Sequence, residues 1–113
     1  MDIKTLTKLM NNFVNDKGWY EPDSPRPQLS KNLAISLSLE ASEVLELFQW
    51  HEKAADPQLL AGELADVMLY LLQLASVSNI DLEKAVLEKI QINRHRIWDD
   101  QQQKYKDEHD SKD

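Results

Sequence analysis

The sequence predicts an all-α fold: a four-helix up-and-down bundle completed by oligomerisation. Three observations predict it. Apolar residues recur at helical spacing through most of the chain. Turn formers are scarce, with 2 Gly and 4 Pro in 113 residues, while the helix-favouring Leu, Ala, Glu, Lys and Gln are plentiful. The third apolar segment is apolar nearly all round, which is more than one partner face in so small a protein can cover. A second subunit covers the surplus in one reading; in the plainer one the segment is a central core helix.

The elements follow in order. The first helix runs from about Asp2 to Lys17, with Ile3, Leu6, Leu9, Met10, Phe13 and Val14 on one stripe, and Gly18 ends it. The segment Trp19–Leu29 holds Pro22, Pro25 and Pro27 and cannot be helical throughout. Its two leading aromatics, Trp19 and Tyr20, point to packing on a neighbour. The second helix starts at Ser30, a good N-cap, and continues to about Glu52. Asp56-Pro57 starts the third, since Asp caps and Pro is tolerated in the first helical turn; it runs to about Ser76. Asp81 caps the fourth, from Leu82 to about Gln103. Connections this short place neighbours antiparallel. Residues 1–104 then form a single helical domain, and the polar 105–113 form a disordered tail.

A net charge of −7 argues against binding a nucleic acid polymer, which needs a basic surface to displace counterions. It leaves a nucleotide open, because a metal can supply positive charge. The absence of cysteine excludes disulfides, thiolate metal sites and a cysteine nucleophile. The opening MDIKTLTKLM is amphipathic and does not read as a signal peptide. The run Leu59–Leu72 is too short to span a bilayer, for which about 20 apolar residues are needed. The expectation is a cytoplasmic protein without a membrane partner.

Two acidic pairs interrupt the apolar stripes. Glu40 and Glu43 fall among Leu33, Leu37, Val44 and Leu47; Glu63 and Asp66 share a side with Leu59, Val67 and Tyr70. Spaced i, i+3, the members of each pair project from nearly the same side of a helix. Buried acids must be paired, protonated or bound to a cation. One solution is pairing with Lys89, Arg94 or Arg96. The other is a divalent metal among all four acids, which two pairs on adjacent helices favour. All-oxygen sites suit Mg2+, with Mn2+ as a substitute. Di-iron bundles use Glu-x-x-His, and none of the three histidines lies three residues after a Glu. A Mg2+ site recruits phosphates and activates water, and Glu40 or Glu43 is the candidate general base. His51 reads as a helix-end or pocket residue.

Lys89, Asn93 and Arg96 share a face of the fourth helix and offer donors to phosphate oxygens. Lys31 and Asn32 could add a phosphate or sugar contact. The alternative is a solvated basic face. Trp50 and Trp19 are candidates to stack on a base, although tryptophan more often packs in a core or interface. Trp98 reads as structural.

The stretch Ser30–Trp50 (SKNLAISLSLEASEVLELFQW), then Gly62–Ala75 (GELADVMLYLLQLA) and Lys89–Arg96 (KIQINRHR), resembles the MazG-like all-α nucleoside triphosphate pyrophosphohydrolases, in particular the short branch that includes the dCTP pyrophosphatases. The resemblance covers roughly residues 19–96. It implies Mg-dependent hydrolysis of a nucleoside triphosphate to the monophosphate and pyrophosphate, in nucleotide-pool sanitation. It further implies metal ligation by Glu40, Glu43, Glu63 and Asp66, phosphate contacts from Lys89 and Asn93, and a base pocket lined by Trp50. Family members are homodimers or dimers of dimers with sites built from more than one subunit. Two departures stand out. Arg96, Ile97 and Trp98 replace the family's Lys-Tyr-Pro or Arg-Tyr-Pro ending, and Ser30, Lys31, Asn32 and Leu33 replace a Pro-Arg-Asn-Leu opening. The rival readings are a non-catalytic nucleotide- or protein-binding bundle and a dUTPase-like specialist on the same scaffold.

Overall fold

Four helices carry the fold: α1 (Ile3–Asp16), α2 (Ser30–Glu46), α3 (Pro57–Val77) and α4 (Leu82–Arg94). The computed structural model describes residues 1–99 and 104–106, the short segments 97–99 and 104–106 as backbone. Two helix starts carry side-chain caps, and the one at Asp56 is the one the sequence predicts. Asp2 Oδ1 accepts from the Thr5 amide at 2.8 Å, and Asp56 Oδ1 from the Gln58 amide at 2.9 Å, with Pro57 in the first turn. α2 starts differently. Ser30 is its first helical residue, and the cap position falls to the extended Leu29, with no side-chain cap bond. Ser30 Oγ lies 3.4 Å from Ser78 Oγ instead, and Asn32 Nδ2 donates back to the Pro27 carbonyl at 3.0 Å.

Two helices end in the same left-handed turn. Gly18, at φ 76°, and Asn79, at φ 57°, follow α1 and α3. Around them, Trp19 N donates to Val14 O at 3.2 Å and Ile80 N to Ala75 O at 2.9 Å, the six-to-one bond that satisfies an orphan carbonyl. α2 stops at Glu46 rather than Glu52. Beyond it, Leu47, Phe48 and Gln49 bond back only three residues, which tightens the chain into turns. α4 stops at Arg94 rather than Gln103. Ile97, Trp98 and Tyr105 suit strand better than helix, and β1 (Ile97–Asp99) pairs antiparallel with β2 (Lys104–Lys106), Trp98 opposite Tyr105. Tyr105 and Lys106, expected in the tail, are therefore strand residues; 107–113, the rest of that tail, lie outside the described residues. The side chain of Trp98 does too.

The chain divides into two compact units, Met1–Leu82 and Glu83–Asp113. The first holds α1 to α3. Gln28, just before α2, meets Gln73 late in α3, and Glu40 meets Glu63 near the start of α3, so the two helices run antiparallel. α1 packs on α3, where Asn11 Nδ2 donates to Ser76 Oγ at 3.0 Å and Met10, Val14 and Leu72 form the core with Trp19, Tyr20 and Met68 around them. That core is thin. Met10, Val14, Leu33, Leu72 and Ala75 are the buried apolar residues among those described. On α3, Leu59, Leu64 and Leu69 stay 56, 52 and 43% exposed. A single chain does not make α3 a covered core helix.

α3 is also 21 residues long with a mean hydropathy of 1.4, enough by length and composition to cross a bilayer, although the run inside it looked too short. The flanking Pro57, Gln58 and Gln73–Val77 lengthen it. Its acids and Gln73 would be costly in lipid, and they lie on the faces turned to α2 and the Pro-rich segment.

Leu72 is 2% exposed, so Leu72→Ala should cost about 2–5 kcal/mol, read as a lower midpoint of denaturant unfolding. Gly18→Ala should cost roughly 1–2 kcal/mol, because it forces a Cβ into a left-handed turn.

Candidate functional site

The antiparallel pairing of α2 and α3 sets Glu40 and Glu43 against Glu63. One carboxylate oxygen from each lies within 4.8 Å of the others. Glu40 and Glu63 are half-buried and Glu43 is exposed. The i, i+3 spacing that made the acids conspicuous is what turns them to one seam. Asp66, one turn after Glu63, stands outside this trio and is exposed, yet its charge acts on both Glu40 and Glu63.

The electrostatics are one-sided. Burial pushes the Glu40 carboxyl above its ordinary value, and the charges of Glu43 and Asp66 push it further. Burial again leads for Glu63, followed by the charge of Glu43, a hydrogen bond with Glu43, and the charges of Glu40 and Asp66. Among the described residues, no cation figures in the groups acting on either. Glu40 Oε1 and Glu63 Oε1 are sealed from solvent without a hydrogen-bond partner, the two such side-chain atoms among the described residues. A sealed, unpartnered carboxylate oxygen costs free energy unless something positive meets it. Two of them, beside a third carboxylate within ligand-sharing distance, fit a divalent cation. The donors are all oxygen, which suits a hard ion.

Beside the acids lies a cavity of about 480 Å³. Helices α1, α2 and α3 and the Pro-rich segment all contribute to its wall. Asp66 joins it to the acidic cluster; Ser36, one turn before Glu40, Asn32, Trp19 and Tyr70 line it further in. Volumes of this size take small-molecule ligands. The Pro-rich segment is held as a wall by short-range bonds: Ser24 N to Glu21 O at 3.0 Å, Arg26 N to Ser24 Oγ at 3.0 Å, and the Asn32–Pro27 bond. The Arg26 guanidinium sits over the Trp19 ring at 5.6 Å, and Phe13 meets that ring edge-on at 5.7 Å.

The other sequence candidates are placed as follows. Lys31 is exposed and does not line the cavity, whereas its neighbour Asn32 does. Trp50 sits in the turns after α2, 82% exposed and outside the cavity lining, with His51 exposed beside it. Lys89, Asn93 and Arg96 belong to the C-terminal unit, where Arg96 Nη1 donates to Asn93 Oδ1 at 3.3 Å and Lys89 is exposed. The cavity also contains residues the sequence did not single out, Gln28 and Gln73 above all. Gln73 is the buried polar residue of the described chain, 4% exposed. A lone glutamine in LYLLQLA was the signal that could have found it.

Comparisons with known proteins bear on the family of the chain. The MazG-like family model matches residues 35–110. Human dCTP pyrophosphatase 1 is 35% identical over 107 residues, covering 83% of this chain and 58% of that protein. The rat protein of the same name is 34% identical over 103 residues, with the same two coverages. The chain thus spans 58% of the length of these relatives. The crystal structure of a pyrophosphatase from Archaeoglobus fulgidus is 32% identical and superposes with a TM-score of 0.68, covering 80% of this chain and 86% of that one. The sequence, the helices and their acidic seam agree on one assignment: the chain belongs to the MazG-like family.

Proposed function

We propose that the protein is a Mg-dependent nucleoside triphosphate pyrophosphohydrolase acting on deoxynucleotides. It converts a (d)NTP and water to the (d)NMP and pyrophosphate, in a cytoplasmic pool-sanitising role. The observation that carries the reading is the position of Asp66: one turn from an acidic cluster with two sealed, unpartnered oxygens, it lines a cavity large enough for a nucleoside. The relatives named as dCTP pyrophosphatases and the pyrophosphatase fold neighbour support it. The family match runs through both compact units, which supports treating 1–104 as one domain.

Glu40, Glu43, Glu63 and Asp66 hold the metal, with Mn2+ able to replace Mg2+. The ion supplies charge neutralisation for the phosphates and a more acidic water. The chain's own groups do the rest. The cavity takes the nucleoside and fixes the α-phosphate beside the acids. Water adds to the α-phosphorus and the bond to the α–β bridging oxygen breaks, so pyrophosphate leaves. The water's proton passes to a carboxylate, Glu43 or Glu40. Glu43, the exposed member, is the better placed to exchange it with solvent. Lys89, Asn93 and Arg96 bind phosphate oxygens, Trp50 and Trp19 contact the base, and Lys31 and Asn32 add a phosphate or sugar contact, in a site that draws on more than one subunit. A homodimer or dimer of dimers covers the exposed leucines of α3.

Pyrophosphate release across a panel of ribo- and deoxynucleoside triphosphates should require Mg2+ or Mn2+ and vanish with chelator. Turnover that persists without any divalent ion would remove the metal reading. Glu63→Gln should abolish turnover and leave the circular dichroism spectrum of a helical protein; loss of helix would make the acid structural.

The raised carboxyls of Glu40 and Glu63 set a pH dependence with a definite sign. A raised acid contributes stability that is present below its ordinary value and lost as pH rises through the raised one. Metal-free protein should therefore melt higher as pH falls from neutral toward the ordinary glutamate range. At neutral pH, Mg2+ at about 100 times its Kd should add about 2.7 kcal/mol, a rise of roughly 10 °C in melting temperature for a chain this size. Glu63→Gln should lose most of that rise.

A further inference from the structure

A polar run starts in the cavity wall at Gln28 and Gln73 and leads away from it to Tyr20, Asn11 and Ser76, and its direction is fixed. Gln28 Nε2 donates to the Arg26 backbone carbonyl at 2.5 Å. A carbonyl only accepts, so the Gln28 amide cannot turn round, and its Oε1 faces Gln73. Gln73 Nε2 donates to that oxygen at 2.6 Å. The same Gln73 amide reaches the Tyr20 hydroxyl, which in turn donates to Asn11 Oδ1, while Asn11 Nδ2 donates to Ser76 Oγ. Every link has one polarity. The nitrogen of Gln73 is committed to the protein, and what remains is its Oε1.

That oxygen opens on the cavity. It has no hydrogen-bond partner among the described residues, and it is not among the sealed, unpartnered atoms, which are the two glutamate oxygens of the acidic cluster. Gln73 is 4% exposed and lines the cavity. The surface it retains is therefore cavity surface, on the side of α3 that carries Tyr70 and Asp66 one and two turns nearer the acids.

We propose that Gln73 is a specificity-determining residue, a locked acceptor that selects bases with an exocyclic amino group over their oxo counterparts. An amino group donates to Oε1. A ring carbonyl in the same place sets acceptor against acceptor, and Gln73 cannot flip to relieve it because Gln28 and the Arg26 carbonyl hold it. Sites built around a buried polar group reject the analogue that leaves it unmatched more strongly than apolar pockets reject size changes. The inference rests on the cavity being the base site of the proposed hydrolase.

Matched nucleotide pairs that differ only in this group test it: dCTP against dUTP, and dATP against deoxyinosine triphosphate. In the wild type, kcat/KM should favour the amino member of each pair. Gln73→Met removes the acceptor at similar volume, and the amino-to-oxo ratio should fall about tenfold. Gln28→Met leaves the acceptor but frees the amide to turn, so the ratio should fall there too, with dUTP gaining. A purely structural Gln73 would lower all four nucleotides together and leave the ratios unchanged; that result, or a wild type with no amino preference, overturns the proposal while the hydrolase reading stands. If Gln73→Met fails to fold by circular dichroism, the Gln28→Met ratio decides. If the wild type releases pyrophosphate from no nucleotide, the hydrolase reading fails, and calorimetric binding of dCMP against dUMP decides the base reader: a dCMP preference lost in Gln28→Met sustains it, and equal binding or none overturns it.

Discussion

Three carboxylates brought together, with no counter-charge acting on them among the described residues, are the constraint on which the rest of this molecule depends. The pairing of α2 with α3 is what imposes it. The register that sets Gln28 against Gln73 also sets Glu40 against Glu63. The chain thus tolerates like charges at the seam of its own hairpin, and burial raises the cost by withdrawing water from two of the oxygens. An apolar pair there would pack at no such penalty. Retaining the acids makes sense when their energy is recovered by a bound cation, so folding and ligation share one set of atoms.

The cavity follows from the same pairing. Toward the far end from the acidic seam, α2 and α3 share the cavity wall with α1, Trp19 and the Pro-rich segment. Proline does more there than interrupt helix. It lets eleven residues run as an ordered wall whose Arg26 and Pro27 carbonyls are taken up as acceptors by nearby side chains. Polar side chains at Gln28 and Asn32 meet those carbonyls, which lets a nonhelical segment pack against apolar helices without stranding its backbone.

Much of this was legible in the sequence, for reasons that can be stated residue by residue. Asp2, Asp56-Pro57 and Gly18 are short-range signals, and they fixed helix ends because capping is a local matter. The acids were legible because charge on an apolar stripe is conspicuous at any register. The early ends of α2 and α4 were not, because tightened turns and a short hairpin depend on backbone bonds that the helical pattern does not encode. Ser30 was misjudged as a cap because its hydroxyl is drawn to Ser78, a residue far along the chain. Gln28 gave no signal for the same reason, and the lone glutamine at Gln73 gave only a faint one: a glutamine carries no charge to stand out, and their meaning lies in a contact across 45 positions. The plain core-helix reading of α3 failed on a matter of area, which a helical wheel does not count.

The amide run from the Arg26 carbonyl to Asn11 has one more property. None of its carbonyls and amides gains or loses a proton in the biological range, and Tyr20, pushed upward by burial, stays neutral there. The glutamates a few turns away are the opposite, poised so that acidity changes their state. One end of the hollow is therefore a fixed template and the other an adjustable one. Under the proposed function, changes at the glutamates would alter turnover and leave the amide run in place.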